Sequence, residues 1–209
     1  MTVHSPELEA YLSSLLPDRN SVLADMEAYA REHKFPIIGP LVGRFLQQMV
    51  RLTNARRVFE MGSGYGYSAV WFATAMADGS IVECTETDAA NIARGKTFAQ
   101  AAGVGDRIEW HQSDALDAMA TAAGPFDIIL NDVDKHQYPR ALELAWPQLR
   151  RGGVMITDNV LWSNRVINEK PPSSGTAGIL EFNRSSYALP DALSVIIPLR
   201  DGLMVSIKQ

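Results

Sequence analysis

Cysteine is almost absent. Cys84 is the only one in 209 residues, so neither an intrachain disulfide nor a zinc site built on several thiolates is open to the chain. Its setting, SIVECTE, reads as a buried strand position. Long apolar runs are missing as well: none approaches the roughly 18 residues of a membrane span. The opening MTVHSPELEA has neither the basic nor the apolar region of a signal peptide, so the expectation is a cytoplasmic protein without membrane association. There is no run of Lys and Arg, and 24 acids outnumber 19 basic residues for a net charge of -5. That balance speaks against a nucleic-acid partner held through its phosphates. The four histidines are scattered and form no HExxH, so the zinc-hydrolase pattern is missing too. A small or neutral ligand is the expected partner.

What is present belongs to an ordinary folded protein: 46% apolar residues, 21% charged, and enough length to bury one sizeable core. One domain over residues 1–209 is expected, with helices over 1–54 and a sheet core over 55–209. SPELEAYLSSLL opens with a serine N-cap and a proline at the first helical position. SVLADMEAYAREHK and VGRFLQQMVRL continue at helical spacing, and the three helices form a cap. From there strand-like VFEM, SIVECTE, RIEWH, FDIIL and GVMIT alternate with helical segments. Such alternation calls for parallel pairing, right-handed crossovers and helices on both faces, a doubly wound Rossmann-like sheet. SVIIPL and LMVSIK, joined by the short turn RDG, add an antiparallel hairpin at one edge and bring the sheet to seven strands. Before that hairpin, VINEKPPSSGTAG reads as a mobile surface loop.

Ligands of such sheets bind beyond the carboxyl ends of the strands, where strand order reverses. In FEMGSGYGYS, Gly62, Gly64 and Gly66 follow the first strand, but the third glycine of G-x-G-x-x-G would fall on Tyr67. A nicotinamide or flavin pyrophosphate is therefore disfavoured, and Glu60 would repel it. Glu60 suits a ligand with an ammonium group instead. Glu86 ends the second strand, where an acid accepts hydrogen bonds from ribose hydroxyls; Glu86 and Asp88 fit equally as caps of the helix AANIARG. Glycine loop, acid and ribose acid together describe a site for S-adenosylmethionine, which carries ribose and ammonium but no phosphate. Asp114 and Ala115, after the third strand, stand where adenine would lie, and Asp114 equally suits an N-cap for DALDAMA.

A second cluster follows strands four and five. LNDVDK supplies Asp132 and Lys135, and TDNVLW supplies Asp158 and Asn159. Two carboxylates and an amide on neighbouring strands, with water and substrate completing an octahedron, match Mg²⁺ or Mn²⁺. Singly, Asp132 reads as a solvated strand end and Asp158-Asn159 as a turn; together they favour the metal. Lys135 follows Asp132 by three residues, and an adjacent cation with partial burial eases the deprotonation that a general base needs. Asn131, Asp134 and His136 take no role beyond Asp134 favouring a helix start.

These motifs resemble the metal-dependent, S-adenosylmethionine-dependent O-methyltransferases that include catechol and caffeoyl-CoA O-methyltransferases, in the form of their small bacterial relatives. The likeness runs from GRFLQQMVRLTNARRVFEMGSGYGYSAV through TETD, AAGVGDRIE, DVDK and DNVLW to EFN and the final DGL. It implies Asp132, Asp158 and Asn159 as metal ligands and Lys135 as the base. It implies Glu60, Gly62, Ser63, Ser68, Glu86, Thr87, Asp114, Ala115 and Asp132 as cofactor-binding residues, and Trp162 in the acceptor pocket. One departure stands out. The glutamate that bonds catechol from the final hairpin in catechol O-methyltransferase aligns with Val195, so the acceptor must be oriented differently. The expected activity is methyl transfer to a hydroxyl of a small phenolic or catechol-like acceptor, assisted by a divalent metal, in a homodimer. The alternatives are an NAD-dependent dehydrogenase on a similar fold and a non-catalytic S-adenosylmethionine-binding protein.

Overall fold

Apolar segments long enough for one strand each, separated by helices, leave the chain a single economical arrangement, and the computed structural model adopts it over the described residues 5–209. The first four residues, part of the opening read for a targeting signal, lie outside that range. Helices α1 (Pro6–Ser14), α2 (Ser21–His33) and α3 (Gly39–Thr53) come first. Side chains cap two of them: Ser5 accepts from Leu8 N at 3.2 Å and Asn20 from Val22 N at 2.8 Å. The chain then alternates through β1 (Arg57–Met61), α4 (Tyr67–Ala75), β2 (Ile81–Glu86), α5 (Ala89–Ala101), β3 (Ile108–Gln112), α6 (Ala115–Thr121), β4 (Phe126–Asn131), α7 (Tyr138–Gln148) and β5 (Leu149–Thr157). Two further helices, α8 (Arg165–Asn168) and α9 (Ser174–Ala188), precede β6 (Ala192–Ile197) and β7 (Leu203–Lys208).

The strand order is β3-β2-β1-β4-β5-β7-β6. Strands β1 to β5 pair in parallel, while β7 runs antiparallel to both β5 and the edge strand β6. Order therefore reverses between β1 and β4, as a doubly wound sheet requires. One face is covered by Val42, Leu46, Trp71 and Phe72 over Val58, Val82, Leu130 and Ile156. The other carries Met119, Tyr138, Trp146 and Phe182 over Phe59, Ile129 and Met155. Helix α4 is buried at every position except Thr74, because the sheet lies on one side and α3 on the other. Gly43 permits that approach: a Cβ there would fall 2.3 Å from Trp71 Cε2.

The departure from expectation lies before the final hairpin. VINEKPPSSGTAG is not a surface loop throughout; it contains most of α8 and the start of α9. Composition suggested a loop, but both prolines precede the helix, and the Ser173 hydroxyl caps it by accepting from Thr176 N at 3.4 Å. Glu169 holds that cap from below, accepting from the hydroxyls of Ser173, at 3.2 Å, and Thr176. Ile179 and Phe182, one turn apart, bury the helix against the second core. Gly178 lies against the turn that carries Lys135, where a Cβ would meet Lys135 O at 2.5 Å and His136 Cα at 2.8 Å. Backbone atoms cannot swing aside as a side-chain tip can. Gly178→Ala should therefore destabilise the protein by about 1–3 kcal/mol, read as a lowered urea midpoint, and an unchanged midpoint would show that α9 does not press on this turn.

Candidate active site at the carboxyl ends of the strands

Strand β1 delivers its glycines to a tight turn. Gly62 has φ 85°, its N–H donates to Thr85 Oγ1 at 3.0 Å, and Ser63 N donates to Thr85 O at 2.9 Å. A Cβ on Gly62 would come 2.7 Å from Asp132 O, so this glycine lets the loop after β1 touch the segment after β4. Glu60, fully buried just before the turn, accepts from the Ser68 hydroxyl, and Cys84 Sγ lies 3.4 Å from its other oxygen. Burial pushes its pKa up to about 7, although the hydroxyls of Ser68 and Ser63 and the Cys84 thiol pull it down. A buried carboxylate of this kind favours a cation beside it.

Glu86 closes β2. Its Oε1 accepts from Asp88 N at 2.8 Å and, at 3.4 Å, from the Thr87 hydroxyl. The helix cap itself is Asp88, which accepts from Ala90 N at 2.8 Å. Glu86 instead faces a cavity of about 200 Å³ shared with Gly62, Ser63, Ser68, Asp132, Phe35 and Ile37. Thr87, Asp114 and Ala115 are not among that cavity's lining residues. Asp114 caps α6 through Leu116 N at 2.8 Å and Asp117 N at 3.3 Å, as its second reading anticipates.

The acids after β4 and β5 emerge side by side because Asn131 pairs with Thr157 in the parallel ladder. Asn131, without a role in the sequence, is fully buried and reaches Thr157 Oγ1 with its amide at 3.4 Å, tying the two strand ends together. Lys135 Nζ donates to Asp132 Oδ1 at 2.8 Å and to Val133 O at 3.4 Å. Its ammonium also stands 5.1 Å from the ring of Tyr138 and 5.7 Å from that of Trp162. Asp158 is 4% exposed, and its Oδ1 accepts from Asn159 N at 2.8 Å. Desolvation raises the pKa of Asp158, and the neighbouring charge of Asp132 raises it further. Desolvation raises Asp132 too, against the opposing pull of Lys135. Two carboxylates that disfavour each other's charge, with an amide beside them and one ammonium in reach, are an oxygen donor set suited to a divalent cation. Among the described residues no group of three or more His, Cys, Asp or Glu is placed to hold a metal ion, so the set here is two carboxylates and one amide.

A second, larger cleft of about 1420 Å³ opens from this cluster, lined by Asp132, Lys135, Asp158, Asn159 and Trp162 with the cap residues of α1 and α2. The segment after β5 is unusual: Asn159, Trp162, Ser163 and Asn164 all have φ between 48° and 65°. Left-handed backbone in residues bearing a Cβ is strained, and contacts to the β6–β7 turn hold it. Ser163 N donates to Asp201 Oδ1 at 2.5 Å, Leu161 N to Asp201 O at 2.9 Å, and Val160 N to Gly202 O at 3.1 Å. Val195 is 51% exposed on β6 and absent from the cleft; the final hairpin reaches it through Arg200 and Asp201 instead. Sequence reasoning also missed Phe35, Pro36 and Ile37, between α2 and α3, which line both cavities. Pro36 and Gly39 marked a break there, but nothing local showed which cavity it would face.

The family described as O-methyltransferase matches residues 16–209. A catechol O-methyltransferase of Mycobacterium tuberculosis is 31% identical over 175 residues, covering 82% of this chain and 80% of that protein. Caffeoyl-CoA O-methyltransferase 1 of Eucalyptus globulus is 27% identical over 206 residues, covering 91% and 83%. Among solved structures, an O-methyltransferase from Bacillus cereus in complex with SAH superposes with a TM-score of 0.88 at 26% identity, covering 97% of each chain.

Glu60 makes the site's chemistry visible in stability. Its folded pKa of about 7 lies above the ordinary 4.5, so its contribution is complete below pH 4.5 and is lost as pH rises through 7. The unliganded protein should lose on the order of 3 kcal/mol through this group across that window. Glu60→Gln should flatten the slope in urea melts taken at pH 5 to 8, and parallel profiles for the two proteins would contradict ionisation of a buried Glu60.

Proposed function

The chain belongs to the O-methyltransferase family, and on that premise we propose that it transfers a methyl group from S-adenosylmethionine to a hydroxyl of a small, phenolic or catechol-like acceptor. The observation that carries this reading is Asp132, which lines both cavities: donor and acceptor spaces meet at the Asp132–Lys135 pair. The names of the Mycobacterium and Eucalyptus relatives support the acceptor class, and the ligand of the Bacillus cereus structure supports the donor.

In this reading the smaller cavity holds the cofactor. Ser63 and Ser68 line it and take the ammonium of the methionine end together with Glu60, which is fully buried behind them and bonded to the Ser68 hydroxyl; Gly62 lets the chain approach, and Glu86 accepts from the ribose hydroxyls. Asp114 and Ala115 would meet the adenine beyond that cavity's lining, and Thr87 is kept as a cofactor-binding residue. Asp132, Asp158 and Asn159 would hold Mg²⁺ or Mn²⁺, which lowers the pKa of a bound hydroxyl and fixes vicinal oxygens in place. Lys135, whose Nζ is already within the cluster, would take the proton of the hydroxyl as a neutral amine, the bound cation replacing its ammonium in neutralising Asp132. Trp162 forms a wall for the acceptor ring, and the enclosing cap aligns oxygen, methyl carbon and sulfur for in-line displacement. A cytoplasmic homodimer belongs to the same proposal, with exposed Leu8, Tyr11, Leu15 and Leu52 on α1, α3 and their flank as apolar surface for a second copy.

Chelation with EDTA should abolish turnover and added Mg²⁺ or Mn²⁺ should restore it; activity indifferent to EDTA would remove the metal from the reaction. Lys135→Ala should lower kcat by about 100-fold or more while S-adenosylhomocysteine still binds, in keeping with the loss of a general base. A Lys135→Ala enzyme with normal kcat would mean that another group takes the proton.

A further inference from the structure

The β6–β7 turn offers the larger cleft a cation that none of these roles uses. Arg200 has φ 50°, a left-handed conformation that glycine adopts freely and an arginine only under strain, and strain of this kind gathers at ligand clamps. The side chain is held from several sides. Nη1 donates to Ile37 O at 2.9 Å, and Nε stands 3.3 Å from Glu9 Oε1. Gly39 leaves room for the guanidinium, since a Cβ there would fall 2.8 Å from Nη1. Nη2 has no hydrogen-bond or ion-pair partner among the described residues. Arg200 lines the same cleft as Lys135 and Trp162, and its charge acts on Asp158.

Most of the acids around it are committed elsewhere; Asp158, which lines the same cleft and feels its charge, accepts from Asn159 N and is a ligand of the proposed metal. Glu27 is engaged by Arg19 and by the Tyr67 hydroxyl, and Asp201 by Ser163 N. Asp132 is paired with Lys135, and Asp134 is the exposed exception. Glu9, the one carboxylate paired with Arg200 among the described residues, is itself 48% exposed, so it neutralises the guanidinium only in part. Arg31, on the α2 side of the cleft, adds a second cation with no partner among the described residues.

We propose that Arg200 recognises a carboxylate on the methyl acceptor, so that the preferred acceptors are aromatic diols bearing an acid group in place of neutral catechols. A guanidinium held in one orientation with an unused nitrogen is suited to such a group, because little side-chain freedom remains to be lost on binding. The proposal rests on the reading of the larger cleft as the acceptor site.

The test compares 3,4-dihydroxybenzoate with neutral 3,4-dihydroxybenzyl alcohol, using enzyme supplied with S-adenosylmethionine and Mg²⁺. The wild-type protein should favour the acid in kcat/KM. In Arg200→Gly the acid-to-alcohol ratio should fall about ten- to a hundredfold, mainly through KM, as loss of a charge-assisted hydrogen bond predicts. Arg200→Lys should keep part of the preference. Glycine suits this backbone, and the acid-to-alcohol ratio is taken within one protein, so any stability lost with the bonds to Ile37 O and Glu9 affects both substrates alike and does not imitate loss of recognition. A wild-type preference for the alcohol, or a ratio unchanged in Arg200→Gly, would overturn the assignment. Calorimetric titration of both compounds, with and without S-adenosylhomocysteine, reads the same preference independently of turnover. Acid-selective binding that depends on Arg200 without methyl transfer would keep this assignment and sink the transferase reading; methyl transfer without acid selectivity would do the reverse.

Discussion

At the ends of two neighbouring parallel strands stand two carboxylates and one ammonium. Asn131 and Thr157 are partners in the β4–β5 ladder, so the next residues, Asp132 and Asp158, leave the sheet at the same level. Lys135 returns to Asp132 at 2.8 Å, and nothing comparable answers Asp158, whose charge burial and Asp132 both oppose. The excess of negative charge is the constraint around which the surrounding structure is arranged. It calls for a cation, and it does so where Gly62 brings the loop after β1 into contact with Asp132 O. The two cavities, proposed for donor and acceptor, and the proposed metal ligands therefore share one carboxylate.

Holding that arrangement costs backbone strain, and the stabilising contacts come from distant parts of the chain. The segment Asn159 to Asn164, with four left-handed residues, is fastened to Asp201 and Gly202, some forty residues later. The Tyr138 hydroxyl donates to Asp158 O at 2.7 Å, so the first residue of α7 fixes the end of β5. The turn bearing Lys135 is pressed from outside by α9 at Gly178. The cap closes the cleft from the other side through Phe35, Pro36 and Ile37, and Arg200 links cap to hairpin through Ile37 O.

Much of this was legible in the residue pattern. The alternation of apolar strand and helix predicts the sheet and its antiparallel edge, and the strand-end rule places EMGSG, TETD, NDVDK and TDNV around one crevice. Those signals are local, carried by period, glycine and charge at positions close in sequence. The α9 segment was misread because Pro, Ser and Gly dominate its approach, whereas the helix is decided by the Ser173 cap and by burial of Ile179 and Phe182, which composition does not report. Arg200, Phe35 and Tyr138 went unnoticed for a different reason: their partners lie far along the chain, and no local pattern encodes such a meeting. Glu86 and Asp88 show the limit of the cap signal itself, since both fit it and only Asp88 serves.

The most direct test of the charge argument is stoichiometric Mn²⁺ binding to the protein with S-adenosylhomocysteine present, followed by electron paramagnetic resonance on wild type, Asp158→Ala and Lys135→Ala. The account predicts one Mn²⁺ per chain, lost in Asp158→Ala and kept in Lys135→Ala, because the acids call for the ion and the lysine does not hold it. A wild-type protein that takes up no Mn²⁺, or an Asp158→Ala variant that binds it as tightly, would contradict it.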